Sequence, residues 1–150
     1  MIEVQLSNLE MMIAAHVGAT RSVASLNYNK EKQSDKSQFV IDVDGAAAEM
    51  AVAKHFNIYW VPTVNAGKAA DVMHYQVRQT QHDNGRLLVR EKDKKEEKYI
   101  LVTGVMNTFR IRGWMWLSEA KQEKYYEHKS GLPAWWVPQS DLHPMETING

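Results

Sequence analysis

The sequence predicts a mixed α/β fold of the α+β kind, a twisted central sheet flanked by helices. Three observations predict it. Several short segments alternate apolar and polar residues with period two, or run apolar for about a strand's length. Two longer segments near the N-terminus repeat apolar residues at helical spacing. Their order is β-α-loop-α, then a run of strands, then α and β, with no internal repeat.

Residues 1–6 alternate Ile2, Val4 and Leu6 with polar residues, which predicts a strand. Ser7 followed by Glu10 spells a capping box, so a helix should start near Asn8. Leu9, Met12, Ile13, His16, Val17, Thr20, Val23 and Ala24 fall at helical spacing and predict its core face. Residues 28–38 are polar and lack any period, as a loop does. Asp44 is placed to cap a second helix over about 45–56. Ala46, Ala47, Ala48, Met50, Ala51, Val52 and Ala53 make that helix apolar nearly all round, the pattern of a buried helix. Glu49 is the acid in its middle. A buried carboxylate is costly, so it needs a cation, a metal or contact with solvent.

Residues 58–70, with Pro62, Asn65 and Gly67, read as a loop. The strand expected over 73–80 puts Met73, Tyr75 and Val77 on one face and His74, Gln76, Arg78 and Thr80 on the other. His82-Asp83-Asn84-Gly85 predicts a hairpin turn returning through a strand at 86–90. The mixed charge run 91–98 predicts a solvated hairpin tip. Strands are expected at 99–103 and 109–116, then a helix capped by Ser118 through about Lys129 and closed by Gly131. Ala134 to Val137 reads as a last strand, followed by a tail anchored by Leu142 and Met145.

The 150 residues predict a single domain, and 44% hydrophobic with 24% charged residues argues against disorder. Lysine plus arginine and aspartate plus glutamate both total 18, so no global basic or acidic field exists. Cysteine is absent, which excludes disulfides, thiolate nucleophiles and Cys-based zinc or iron–sulfur sites. No apolar run approaches the roughly 18 residues of a membrane span, and no basic–apolar–small signal pattern opens the chain. These features predict a soluble protein of the cytoplasm. Glycine loops of the phosphate-binding kind and the Gly-x-Ser-x-Gly elbow are both missing. His55 and His74 lack the close histidine spacing of a zinc site.

Glu49, Asp71, Gln76 and Arg78 form the chemically suggestive set. Gln76 and Arg78 are two apart on one strand and share a face. A metal-dependent phosphodiesterase needs oxygen ligands to hold Mg²⁺ against a phosphate and a cation beside the developing charge. The same residues also suit a purely structural reading, a buried Glu49–Arg78 ion pair with Asp71 capping a loop. His74 and the arginines Arg86, Arg110 and Arg112 are candidate nucleic-acid contacts, although solvated strand edges carry such residues too. The late aromatics, Trp114, Trp116, Tyr125, Tyr126, Trp135 and Trp136, favour core packing over stacking on bases.

Glu49 in Gly45-Ala-Ala-Ala-Glu49, Asp71 in Ala69-Ala70-Asp71-Val72 and Gln76-Val77-Arg78 together resemble the PD-(D/E)XK nuclease superfamily. That pattern is a helical Glu, an Asp, then Glu-x-Lys on a strand. The short step from Asp71 to Gln76 is similar to the tight hairpin of the mismatch-repair branch. Small phage proteins are similar over a longer stretch, with Gly113-Trp114 and Val137-Pro138-Gln139…Leu142-His143-Pro144. The resemblance covers about 44–145 and leaves an N-terminal strand-helix element outside it. It implies a restriction-endonuclease-like core and a metal-dependent endonuclease that cleaves DNA. It further implies Mg²⁺ or Mn²⁺ held by Glu49, Asp71 and Gln76, with Arg78 neutralising charge on the phosphate, and makes a homodimer plausible. Two departures stand out: Gln76 replaces Glu, removing a charge, and Arg78 replaces Lys and cannot serve as a base. The alternative is therefore a catalytically inactive nuclease-like module of a phage that binds nucleic acid or a host protein.

Overall fold

The structure is a computed structural model that describes residues 1–25, 37–64, 70–128 and 133–149. Over these it is a mixed α+β fold with two sheets. The elements run β1 (Ile2–Gln5), α1 (Asn8–Ala24), α2 (Gln38–His55), β2 (Tyr75–Thr80), β3 (Leu87–Arg90), β4 (Lys98–Val105), β5 (Thr108–Trp116), α3 (Leu117–Ala120), β6 (Tyr126–Glu127) and β7 (Ala134–Val137). The larger sheet has the order β1-β5-β4-β2, and β3-β7-β6 form the smaller one. Within the larger sheet β2 runs parallel to β4, while β4–β5 and β1–β5 are antiparallel. No helix among the described residues is long and apolar enough to cross a membrane.

Each face of the larger sheet has its own core. Val4, Tyr75, Val77, Ile100, Val102, Phe109 and Ile111 pack with Ala47, Ala48, Ala51 and Val52 of α2. Tyr99, Leu101 and Met115 face the other way, onto Leu87, Val89 and Val137 of the smaller sheet. Helices thus cover one face and strands the other, where the sequence predicts helices on the faces.

The capping box forms as expected. Ser7 N donates to Glu10 Oε1 at 2.7 Å, and Glu10 N donates to Ser7 Oγ at 3.1 Å. The expected core stripe of α1 does not hold. Leu9, Met12, Ile13 and Val23 are exposed, and His16 lies on the same exposed side. The buried face is Ala14, Gly18 and Ser22, four residues apart. Small residues win because α1 packs directly on α2: a Cβ on Gly18 would stand 2.4 Å from the Val43 Cα. Close backbone approach selects small side chains over apolar bulk.

Helix α2 begins earlier than the sequence suggests. Ser37, not Asp44, caps it, accepting from Val40 N at 3.3 Å, and Asp44 is buried within the helix. Residues 28–36 of the expected loop lie outside the described residues.

The turn at His82–Gly85 forms, with Gly85 N donating to His82 O, but it does not return a hairpin. Strand β3 leaves the larger sheet and pairs with β7. The charge run therefore links two sheets, so it is no hairpin tip. The expected helix starts at Leu117 with Trp116, not Ser118, at its N-cap and lasts only to Ala120, followed by a 3-10 turn at Glu123–Tyr125 and then β6. The physical reason is burial: Tyr125 must reach the second core and Tyr126 pairs with Trp135. The proposed stop at Gly131 lies outside the described residues. A bulge between Leu101 and Val102 places Arg112 as an extra residue in β5, so Trp114 returns to the helix-side core. Leu142 and Met145 pack on the cores as expected.

Candidate functional site

The polar residues of interest gather where α1, α2 and the edge strand β2 meet. A tight hairpin builds the β2 end. Tyr75 N donates to Val72 O at 2.8 Å and Asp71 N donates to Tyr75 O at 3.0 Å. Met73 takes the left-handed backbone this turn needs, at φ 53. The fold of the chain back on itself lets Asp71 Oδ2 accept from Val77 N at 2.8 Å. Asp71 thereby sits on the outer edge of β2.

Glu49 projects from α2 on the helix side and is only 6% exposed. Its partner is Arg21 of α1. Nη1 donates to Oε2 at 2.5 Å and Nη2 to Oε1 at 2.9 Å, a two-pronged pair. Arg21 Nε donates to Thr63 O at 2.8 Å, which fixes the guanidinium plane. The buried Trp60 Nε1 makes no hydrogen bond of normal geometry and adds a pull toward the Glu49 anion.

The electrostatics of this pocket are unbalanced. Burial pushes the Glu49 carboxyl up to about 7; the Arg21 hydrogen bonds oppose this and the Asp71 charge adds to it. Asp71 is also raised, first by burial, against the Val77 amide and the charges of Arg78 and Arg21. Burial works against the Arg21 charge, but Glu49 outweighs it and holds the guanidinium above its usual range. Burial outweighs the arginine beside each acid, Arg21 at Glu49 and Arg78 at Asp71.

A second polar group lies across β2. Because Tyr75 and Val77 enter the helix-side core, Gln76 and Arg78 point toward the other face. Gln76 Nε2 donates to Glu97 Oε2 at 2.8 Å, and Lys95 Nζ lies 3.0 Å from Glu97 Oε1. Arg78 Nη2 donates to Asp93 Oδ1 at 2.9 Å, while its Nη1 is 4.0 Å from Asp71 Oδ2. The Arg78 guanidinium stacks 4.9 Å from the Tyr99 ring centre. Burial, with the Asp93 charge adding, pushes the Tyr99 hydroxyl up to about 12.

The structure therefore brings Glu49 toward Asp71, and Asp71 toward Arg78. It does not bring Gln76 to the side of β2 where Glu49 lies. The buried Glu49–Arg78 pair does not form either, since each takes a different partner. The three candidate nucleic-acid arginines are each paired with an acid, and Arg110 and Arg112 share one. His74 is exposed and packs on the Tyr75 ring. Arg86 lies 3.6 Å from Glu127, and Arg110 lies 3.3 Å from Glu3. Arg112 pairs with Asp83, which also faces Arg110 at 3.8 Å.

Sequence reasoning missed Arg21, Asp93 and Glu97. Arg21 adjoins the small-residue face Ala14, Gly18, Ser22, which marks where two helices touch. Glu97 lies two before Tyr99 and so shares its inward face, a parity the charge run conceals.

Among the described residues, no group of three or more His, Asp or Glu side chains is disposed to hold a metal ion. Mg²⁺ is commonly held by one or two carboxylates plus water and substrate phosphate. Glu49 and Asp71 fit that smaller set by charge and by chemistry, whereas Gln76 faces away from Glu49 and is engaged by Glu97. Comparison with protein families, curated proteins and solved structures finds no match for this chain.

Proposed function

We propose that the chain is a metal-dependent, phosphodiester-cleaving nuclease acting on DNA, built on a restriction-endonuclease-like core. The observation that carries the reading is the pair of carboxylates, Glu49 and Asp71, both raised by burial and each with an arginine beside it, Arg21 and Arg78. Such a pocket attracts a divalent cation and, through it, a phosphate. Bound there, Mg²⁺ or Mn²⁺ would lower the pKa of a water and draw charge from the phosphate. Glu49 and Asp71 would hold it. Asp71 is kept in place by the Val77 amide, and Arg78 would neutralise charge on the phosphate beside it. Gln76 fixes Glu97 and stays outside the ligand set.

One observation favours a second reading, a module of this fold that binds nucleic acid or a host protein without cutting. Both Glu49 oxygens already have a cation in Arg21. Plasmid and single-stranded DNA are incubated with Mg²⁺ or Mn²⁺ and either wild type or Asp71→Ala. Cleavage by wild type that is lost in the variant supports the nuclease. Equal background in both, with DNA retained at low salt, supports the binding module.

A further inference from the structure

We infer that Arg21 stands in for the divalent cation at Glu49, so that its pairing with Glu49 and metal binding exclude one another and Arg21 sets the cation affinity of the site. The inference rests on the nuclease reading of Glu49 and Asp71. Its basis is geometric. Glu49 has two oxygens, and the Arg21 guanidinium covers both, at 2.5 and 2.9 Å. A metal ion seeking either oxygen must displace an N–H donor. The Thr63 carbonyl grips Arg21 Nε at 2.8 Å from the side away from Glu49. That third bond positions the guanidinium rather than leaving it to swing as a surface arginine does.

Charge argues the same way. Arg21 acts on Asp71 as well as on Glu49, so it lies in the field of both proposed ligands. With Arg21 in place the ionised Glu49, Asp71 and Arg21 sum to one negative charge; a divalent ion that takes the place of Arg21 meets both carboxylates and supplies the cation that burial makes Glu49 require. A site of two charges binds a divalent ion more tightly than a site of one. Arg21 comes from α1, the element that precedes the region resembling nucleases. The strand-helix addition thus has a definite part: its small-residue face docks on α2 and delivers Arg21 to the pocket.

The test is calorimetric titration of Mg²⁺ at pH 8.5 into wild type, Arg21→Gln, Arg21→Lys and Asp71→Asn, each checked for folding by circular dichroism. Lysine keeps the charge but cannot span both oxygens. The expected result is binding at least about tenfold tighter in Arg21→Gln than in wild type, with Arg21→Lys between them. Wild-type binding that is lost in Asp71→Asn but unchanged or weakened in Arg21→Gln overturns the role of Arg21 and leaves the nuclease site standing. Absence of binding in every folded variant overturns both. Should Arg21→Gln fail to fold, Arg21→Lys decides alone: tighter binding than wild type supports the inference, equal or weaker binding overturns it.

Discussion

Glu49 makes the stability of this protein fall as pH rises. In the unfolded chain its carboxyl titrates near 4.5, and in the fold burial moves it up to about 7. Below the lower value both states hold the proton. Between the two the unfolded chain gives up its proton while the fold keeps it, so the stabilisation, whole below the lower value, is progressively lost. Above the upper value both states are ionised and that stabilisation is lost. At about 1.4 kcal/mol per pH unit, the span corresponds to about 3 kcal/mol between pH 4.5 and 7. In a chain of this length that is a fall in melting temperature of about 6–12 °C. Asp71 is raised too and acts in the same direction. The assay is thermal unfolding across pH 4.5 to 8 for wild type and Glu49→Gln. Every other group is common to both curves, so the difference in slope isolates Glu49. Parallel curves would refute the claim that this carboxyl is strained by burial despite Arg21.

Other expectations follow from particular contacts. Gly18→Ala puts a Cβ 2.4 Å from the Val43 Cα, so α1 must shift from α2; a loss of about 1–3 kcal/mol is expected in denaturant unfolding. Ser7→Ala removes half of the capping box and should cost about 1 kcal/mol by the same measurement. Asp83→Ala removes the shared partner of Arg110 and Arg112, yet Asp83 is largely exposed. Its unfolding midpoint should therefore move by less than about 1 kcal/mol, while DNA retention at low salt should rise if those arginines meet phosphate.

Local pattern determined much of this protein. The capping box, the β5 strand, the last strand from Ala134 and the buried character of α2 all follow from neighbours in the chain, where helical or strand period and side-chain chemistry act over a few residues. The Asp71 hairpin came only with the resemblance to the mismatch-repair branch; strand period alone carries the strand back to Met73, which instead takes the left-handed backbone of the turn and is exposed. Pairing and partnership were decided only in three dimensions. Strand β3 joins β7 and not β2, because the buried side chains of Leu87 and Val89 find their core across the molecule. Glu49 meets Arg21 because a stripe of small residues lets two helices approach closely enough for the long arginine to reach over. Gln76 shares a strand with the Asp71 hairpin but faces away from Glu49, since alternation sends each second side chain to the opposite face. Sequence spacing fixes which residues share a face of one element; which faces meet depends on the packing of the whole chain, and that choice brings the acids and their arginines together.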